Sequence, residues 1–337
     1  MKFATKLLLL ALLTSCTSHD TSDQKVIPSK ISHDSYLKNF RKAENSIALL
    51  IPISGPHKEI GQNVLNACIL GNQNSKMDIY VIDTNDYPDN LRQSSFKNLR
   101  AAVGPVFFKE THKFASIFQD VPLFSLSNNI SANNSHICAC GLSPQEEIKT
   151  IFKYLREHRL RSLTVFLPEG DFAKSISLII QKEAANRGMS EENLNIIQCE
   201  PSANLSEIAG TVTSGAIFAF EPITSEKAKV FTLSSLALSS PEKWEGAMFA
   251  YIDNEDQRSF IEEYQKTFHQ SPTVISLAAY DVIKMINESS ATRREMFDED
   301  YQGTLGNFRI KKDQGIIRNL EIFRIQNAEK VADLPTP

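Results

Sequence analysis

The sequence predicts an α/β protein built as two lobes, each a doubly wound, largely parallel sheet. From residue 46 onward, short apolar runs alternate with segments of helical period, which demands parallel strands covered on both faces. The alternation passes through two sets of similar size, and 42% of the 337 residues are apolar, enough for two cores of ordinary dimensions.

The first set opens with an apolar strand at 46–53, the turn residues Ser54, Gly55 and Pro56, and a helix marked by Ile60, Val64, Ala67 and Cys68. Residues 78–82 repeat the strand pattern, 90–100 read as a polar helix, and 102–108 form a strand carrying Gly104-Pro105. A helix at 109–119 and a strand at 121–126 follow. Ser143-Pro144-Gln145-Glu146 has the form of a capping box with proline at the first helical position, and Ile148, Ile151, Phe152 and Leu155 stripe the helix it starts. The second set has a buried strand at 163–167, then a helix with Phe172, Ile176, Ile179 and Ile180 that Arg187-Gly188 closes. Strands at 195–199, 215–220 and 248–252 continue it. An amphipathic helix at 256–268 ends near Pro272, and 274–286 is apolar almost all round, so that helix is buried. The tail from Gly303 is β-rich, with strands at 308–310 and 320–325.

Ahead of this body lies an export address. Lys2 and Lys6 precede a leucine-rich run, and Leu13-Thr14-Ser15-Cys16 resembles a bacterial lipobox, so residues 1–15 read as a signal peptide and Cys16 as the lipidated first residue of the mature chain. The apolar run is far short of the roughly 20 residues a transmembrane helix needs. Acyl chains bury at about 0.8 kcal/mol per methylene, so two or more hold stably. Residues 16–45 are polar, include Pro28 and show no clear period, which predicts a flexible tether reaching on the order of 30 Å. Thr17 stands where an aspartate would resemble an inner-membrane retention signal, which points to an outer membrane facing the periplasm.

Charge narrows the partners. The formal charge is −4, and −6 once Lys2 and Lys6 leave with the leader, which argues against nucleic acid. Cys68, Cys138, Cys140 and Cys199 remain in the body and allow three complete pairings among which the sequence does not choose. His136, Cys138 and Cys140 alternate and would share one face of a strand, but no partner motif supplies a fourth ligand, so no metal is expected.

The sequence lacks the common catalytic motifs. There is no G-x-G-x-x-G after a strand, no P-loop and no G-x-S-x-G elbow. The S-x-x-K matches at Ser22, Ser35, Ser94 and Ser240 lack their companion motifs, and Lys149-Thr150 is followed by Ile151 in place of glycine. Neither a cofactor nor an enzymatic activity is expected. What remains is a set of loops at the carboxyl ends of strands, where open α/β sheets bind ligands and helix N-termini favour anions. The candidates are Ser54, Gly55, Asp83, Thr84, Phe107, Ser125, Ser127 and Asn128 in the first lobe, and Glu169, Gly170, Asp171, Phe172 and Glu221 in the second. For each of them, turn and cap duty is the plainer explanation.

The stretch IALLIPISGPHKEIGQNVLNACIL at 47–70 resembles the opening strand and helix of type 1 periplasmic binding proteins, the fold of leucine/isoleucine/valine receptors. VIDTND, AAVGPVFF, VPLFSLSNN, GLSPQEEI, LAAYDVIKMI and GTLGNFRIKKDQGIIRNLEIFRI follow in the family's order, so the resemblance runs from about residue 46 to the C-terminus. It implies two lobes joined by crossover hinge segments, an N-terminal lobe of 46–142 plus 254–300 and a C-terminal lobe of 143–253 plus 301–337. Asp83-Thr84, Gly104-Pro105-Val106-Phe107 and the Ser127-Asn128 run look most like the penicillin-binding protein activator lipoproteins. Those are implied to be non-enzymatic partners of peptidoglycan synthases.

Two departures set the chain apart from amino-acid receptors. Their tyrosine-glycine after the first strand of the second lobe is replaced by LPEGDFAKS, and Val106-Phe107-Phe108 stands where serine and threonine would grip an amino acid's charged groups. Burying such groups without partners costs several kcal/mol. The expected function is therefore a lipid-anchored regulator that binds a peptidoglycan synthase. The alternative is the substrate-binding lipoprotein of an ABC importer for amino acids or other small polar solutes.

Overall fold

A computed structural model describes residues 26–27, 45–75, 77–87, 91, 96, 99–134, 136–200, 204–289, 299–311 and 315–333. The leader, Cys16 and most of the expected tether lie outside the described residues, as does most of the helix expected at 90–100. No helix among the described residues is long and apolar enough to cross a membrane.

The first lobe contains β1 (Val26–Ile27), β2 (Ser46–Ile51), α1 (Lys58–Asn72), β3 (Ile79–Asp83), β4 (Leu99–Val103), α2 (Phe108–Ile117), β5 (Leu123–Ser125) and β6 (Ile137–Ala139). Its strands lie in the order β1-β3-β2-β4-β5-β6, all parallel. Strand order reverses at β2, whose neighbours are β3 and β4, so a crevice opens at the carboxyl ends between β2 and β4. β1 corrects the expected tether, since Val26 and Ile27 pair with Ile79 and Tyr80. Without them the edge of β3 would present unpaired backbone groups.

The second lobe holds α3 (Pro144–Glu157), β7 (Leu163–Leu167), α4 (Asp171–Asn186), β8 (Leu194–Gln198), α5 (Leu205–Gly210), β9 (Ala216–Ala219), β10 (Lys229–Phe231), α6 (Ser234–Ala237) and β11 (Met248–Tyr251). The same reversal recurs at β7, which lies between β8 and β9. Two helices, α7 (Glu255–Phe268) and α8 (Val274–Glu288), return to the first lobe, where Phe260, Tyr264 and Leu277 pack with Ala67 and Leu70 of α1. The tail forms β12 (Asp300–Tyr301), β13 (Phe308–Lys311), β14 (Gly315–Arg318), β15 (Glu321–Gln326) and β16 (Glu329–Ala332). β15 extends the second sheet antiparallel to β11, and β16 pairs antiparallel with β15 at the sheet's edge.

The tail does not belong to one lobe as expected for 301–337. Phe308, Ile310 and Ile316 lie in the first lobe's core with Ile47, Leu49 and Phe124. Ile322 lies in the second lobe's core with Val165 and Phe218, and Phe323 and Ile325 pack on that sheet's other face with Phe249. Alternation along an antiparallel strand does not say which sheet it covers, so sequence pattern alone could not divide this stretch.

The crossover at α3 is fastened by a charge taken out of water. The Arg318 side chain is wholly buried, donates from Nη2 to the Cys140 carbonyl at 2.9 Å, and lies over the Phe308 ring at 5.7 Å. Its backbone N–H donates to Glu146 Oε1 at 2.8 Å, while Nη1 sits 3.9 Å from Oε2. This corrects the expected capping box. Ser143 Oγ caps α3 by accepting from Gln145 N at 3.2 Å, but Glu146 is drawn to Arg318 in place of the cap. One residue on, Glu147 is buried and accepts the Ser234 N–H at 2.6 Å; burial pushes its carboxyl up to about 8 against that hydrogen bond.

Two outcomes are expected. A Cβ at Gly61 would meet the Pro52 carbonyl oxygen at 1.8 Å. Gly61→Ala should therefore destabilise by about 2 kcal/mol or more in urea unfolding, although alanine in an exposed helix interior gains about 1 kcal/mol. Glu147 is raised in the folded state, so the stability it contributes is whole below the ordinary carboxylate pKa and is lost as pH rises through about 8. Melting curves of Glu147→Gln against the parent should shift in the variant's favour by on the order of 3 kcal/mol between about pH 5 and about pH 8.

Candidate functional site

The candidate site is the pair of strand-end crevices, and in the first lobe its loops are held by side chains that sequence reading offered as ligand groups. Asp83 is buried, and its Oδ1 accepts from Ile53 N at 3.2 Å and Asn85 N at 3.1 Å. Asn85 in turn donates to the Ser54 carbonyl at 2.6 Å, so the loops bearing Ser54, Gly55, Asp83 and Thr84 form one unit. Gly55 turns at φ +69°, a conformation that favours glycine. Gly104 approaches β2 so closely that a Cβ would meet the Leu50 carbonyl oxygen at 2.1 Å. That contact ends β4 at Val103, earlier than the strand expected at 102–108, and leaves Val106 and Phe107 to lead into α2.

Ser125 and Ser127 are also engaged within the protein. Ser125 Oγ lies 3.1 Å from Thr111 Oγ1 and accepts from Ser127 N at 3.3 Å, and Ser127 Oγ accepts from Asn129 N at 3.1 Å. Asn128 is exposed beside them. Phe107 packs against His57 at 4.7 Å between ring centroids.

Two groups at this crevice keep unspent capacity. Thr84 Oγ1 and Glu110 Oε2 are buried and lack a hydrogen-bond partner among the described residues. Burial raises the Glu110 carboxyl, and nearby Asp83 adds to this, while Lys109, Lys113 and His57 oppose it. Sequence reading missed Glu110 and His57. Glu110 could have been found as a carboxylate two residues into the helix that follows the switch-point strand, but His57 carries no such positional signal.

In the second lobe, Glu169 and Glu221 come together. With Glu200, Cys199, Phe166, Pro168 and Leu205 they enclose a cavity of about 160 Å³ at the switch point between β7 and β9. Gly170 and Asp171 are exposed at the start of α4, and Phe172, half exposed, meets Phe220 edge-on at 6.3 Å.

The electrostatics run against the anion binding that strand-end helices would favour. Glu59, Glu110 and Asp171 occupy the first turns of α1, α2 and α4, the helices that follow β2, β4 and β7. Each places a carboxylate of this chain at the positive end of its helix. An amino acid's carboxylate would have to displace or approach like charge there.

Cys68, Cys138, Cys140 and Cys199 are free and buried, with Cys138 and Cys140 sulfurs 3.8 Å apart. Among the described residues no three His, Cys, Asp or Glu side chains are grouped for a metal ion.

Residues 22–206 match the family described as "LppC putative lipoprotein". The chain belongs to the LppC family. Over 148 residues, 41% of this chain, it is 26% identical to penicillin-binding protein activator LpoA of Pasteurella multocida, and the match spans about a quarter (25%) of that relative's length. The C-domain of LpoA from Haemophilus influenzae, described with its structure as a regulator of PBP1A, superposes at a TM-score of 0.65 with 15% identity, covering 86% of this chain and 100% of that one. A branched-chain amino acid ABC transporter periplasmic ligand-binding protein from Burkholderia xenovorans superposes at 0.67 with 12% identity, covering 86% and 92% of the two chains. Both superpositions establish the periplasmic-binding-protein fold of this LppC protein.

Asp83→Ala should cost about 1–3 kcal/mol in denaturant unfolding, because it strands two loop N–H donors. Asp83→Asn, which keeps an oxygen acceptor, should recover most of that loss.

Proposed function

We propose that this LppC protein is a non-enzymatic envelope lipoprotein that acts by binding a peptidoglycan synthase. It would be held by acyl chains on Cys16, in the outer membrane and facing the periplasm. The observation that carries the reading is the superposition of 86% of this chain on the whole of a domain described as a regulator of PBP1A, together with sequence similarity to an activator of penicillin-binding proteins. The crevices support it from the side of chemistry. Asp83, Ser125 and Ser127 are spent on loop backbone, and carboxylates stand at the helix ends where a small anionic ligand would dock. In this reading the lobes present a surface to a protein, with the first lobe formed by the fold around β2 and the second around β7.

Solute capture for an importer is the second reading. It is favoured by the 0.67 superposition on a transporter's ligand-binding protein and by the unpartnered Thr84 Oγ1 and Glu110 Oε2. Crosslinking in cells followed by purification should recover a peptidoglycan synthase, and Ser127→Ala and Asp171→Ala should leave the yield unchanged. A thermal-shift screen of amino acids and peptidoglycan fragments separates the readings. A captured solute at about 100 times its dissociation constant would stabilise by about 2.7 kcal/mol. Such a shift, abolished by those two substitutions and without synthase recovery, would reverse the assignment.

A further inference from the structure

At the amino ends of β7 and β8, the end of the second lobe away from its crevice, α3 and α4 finish side by side. Both close with a left-handed residue, Arg159 at φ +57° and Gly188 at φ +70°. The N–H of Leu160 donates back to the Leu155 carbonyl at 2.8 Å, and that of Met189 to the Ala184 carbonyl at 3.0 Å. Such terminations fold the following apolar residue back onto its helix. Leu160 and Met189 thereby join Phe152 and Leu155 around a hollow of about 390 Å³.

Four arginines, Arg156, Arg159, Arg161 and Arg187, line the same hollow and are exposed. Arg187 is held by Glu183 at 2.6 Å. The other three form no ion pair with any described carboxylate. The negative end of a helix accounts for one or two cations, such as Arg156 in the last turn of α3. It does not account for Arg161, which lies beyond the helix, or for cations converging on an apolar floor in a chain whose formal charge is −4.

We infer that this hollow is a docking site for an acidic segment of a partner protein, with an apolar side chain seated on the floor and carboxylates on the arginine rim. Charge complementarity selects the sign, and forked guanidinium donors match carboxylates. Ser190 and Asn193 also line the hollow, but the apolar floor of Phe152, Leu155, Leu160 and Met189 selects a peptide over a free anion, because a free anion on the arginines would leave that floor uncovered. A bilayer surface would touch the rim and leave the hollow unfilled. The inference rests on the protein-binding reading but locates the contact on a surface apart from both crevices.

The test titrates the full chain, in detergent, into fluorescent peptides in which glutamates flank a single leucine, with glycine in place of leucine as the control. Vesicles of phosphatidylglycerol in phosphatidylcholine form the membrane arm. The parent should bind the leucine peptide more tightly than the glycine peptide, by about tenfold. Arg156→Glu/Arg159→Glu/Arg161→Glu should weaken binding by roughly thirtyfold or more, and the milder Arg156→Gln/Arg159→Gln/Arg161→Gln by less, with melting temperatures near the parent's. No peptide binding by the parent, equal binding by the charge-reversed chain, or binding to phosphatidylglycerol vesicles alone would overturn the site. In-cell crosslinking separates the two levels. A synthase recovered equally with parent and charge-reversed chain refutes the hollow alone, whereas no synthase with either refutes the proposed function and leaves the peptide titration to judge the hollow.

Discussion

The buried guanidinium of Arg318 is the constraint around which the two lobes are joined. A charge with no exposed surface is tolerated only where hydrogen bonds and opposite charge replace water. Here the Cys140 carbonyl, the Glu146 carboxylate at 3.9 Å and the Phe308 ring do so in part, while Nε and Nη1 have no hydrogen-bond partner among the described residues. These three groups come from the end of the first sheet, the start of the second lobe's first helix and the tail's small sheet. Their convergence sets where α3 begins and draws β14 onto the first core. Glu146 gives up its local capping role to meet this demand, a case of tertiary electrostatics overriding a helix-start motif worth roughly 1 kcal/mol.

The fold then turns both switch points into loops at strand ends, but the chain has furnished them differently from an amino-acid receptor. In the first lobe, polar side chains are consumed in holding the loops together. In the second, three glutamates share a small cavity. Carboxylates at three helix starts offset the dipoles that would otherwise attract an anion. A scaffold shaped for capture is thus equipped more for rigidity and surface charge.

Charge is distributed unevenly over the second lobe. Its crevice carries Glu169, Glu200 and Glu221, and its opposite end carries Arg156, Arg159, Arg161 and Arg187. A partner meeting this lobe would experience fields of opposite sign at the two ends, which orients approach as well as adding contact energy.

The sequence by itself determined the α/β class, the count of lobes and most helices, because apolar period and cap residues report burial locally. It also exposed the loops in which Asp83, Ser125, Ser127, Glu169 and Glu221 stand, since strand ends follow from the same pattern. Short elements escaped it: β6, β10 and α6 have three or four residues each, too few to show a period. Only the tertiary structure decided that Asp83 and the serines are occupied by backbone, that the Oε2 atom of half-buried Glu110 is shut off from solvent near His57, and that the tail is shared between two cores. Those outcomes depend on which distant groups compete for one hydrogen bond or one apolar face, and Glu146 with Arg318, 172 positions apart, shows how far along the chain that competition reaches.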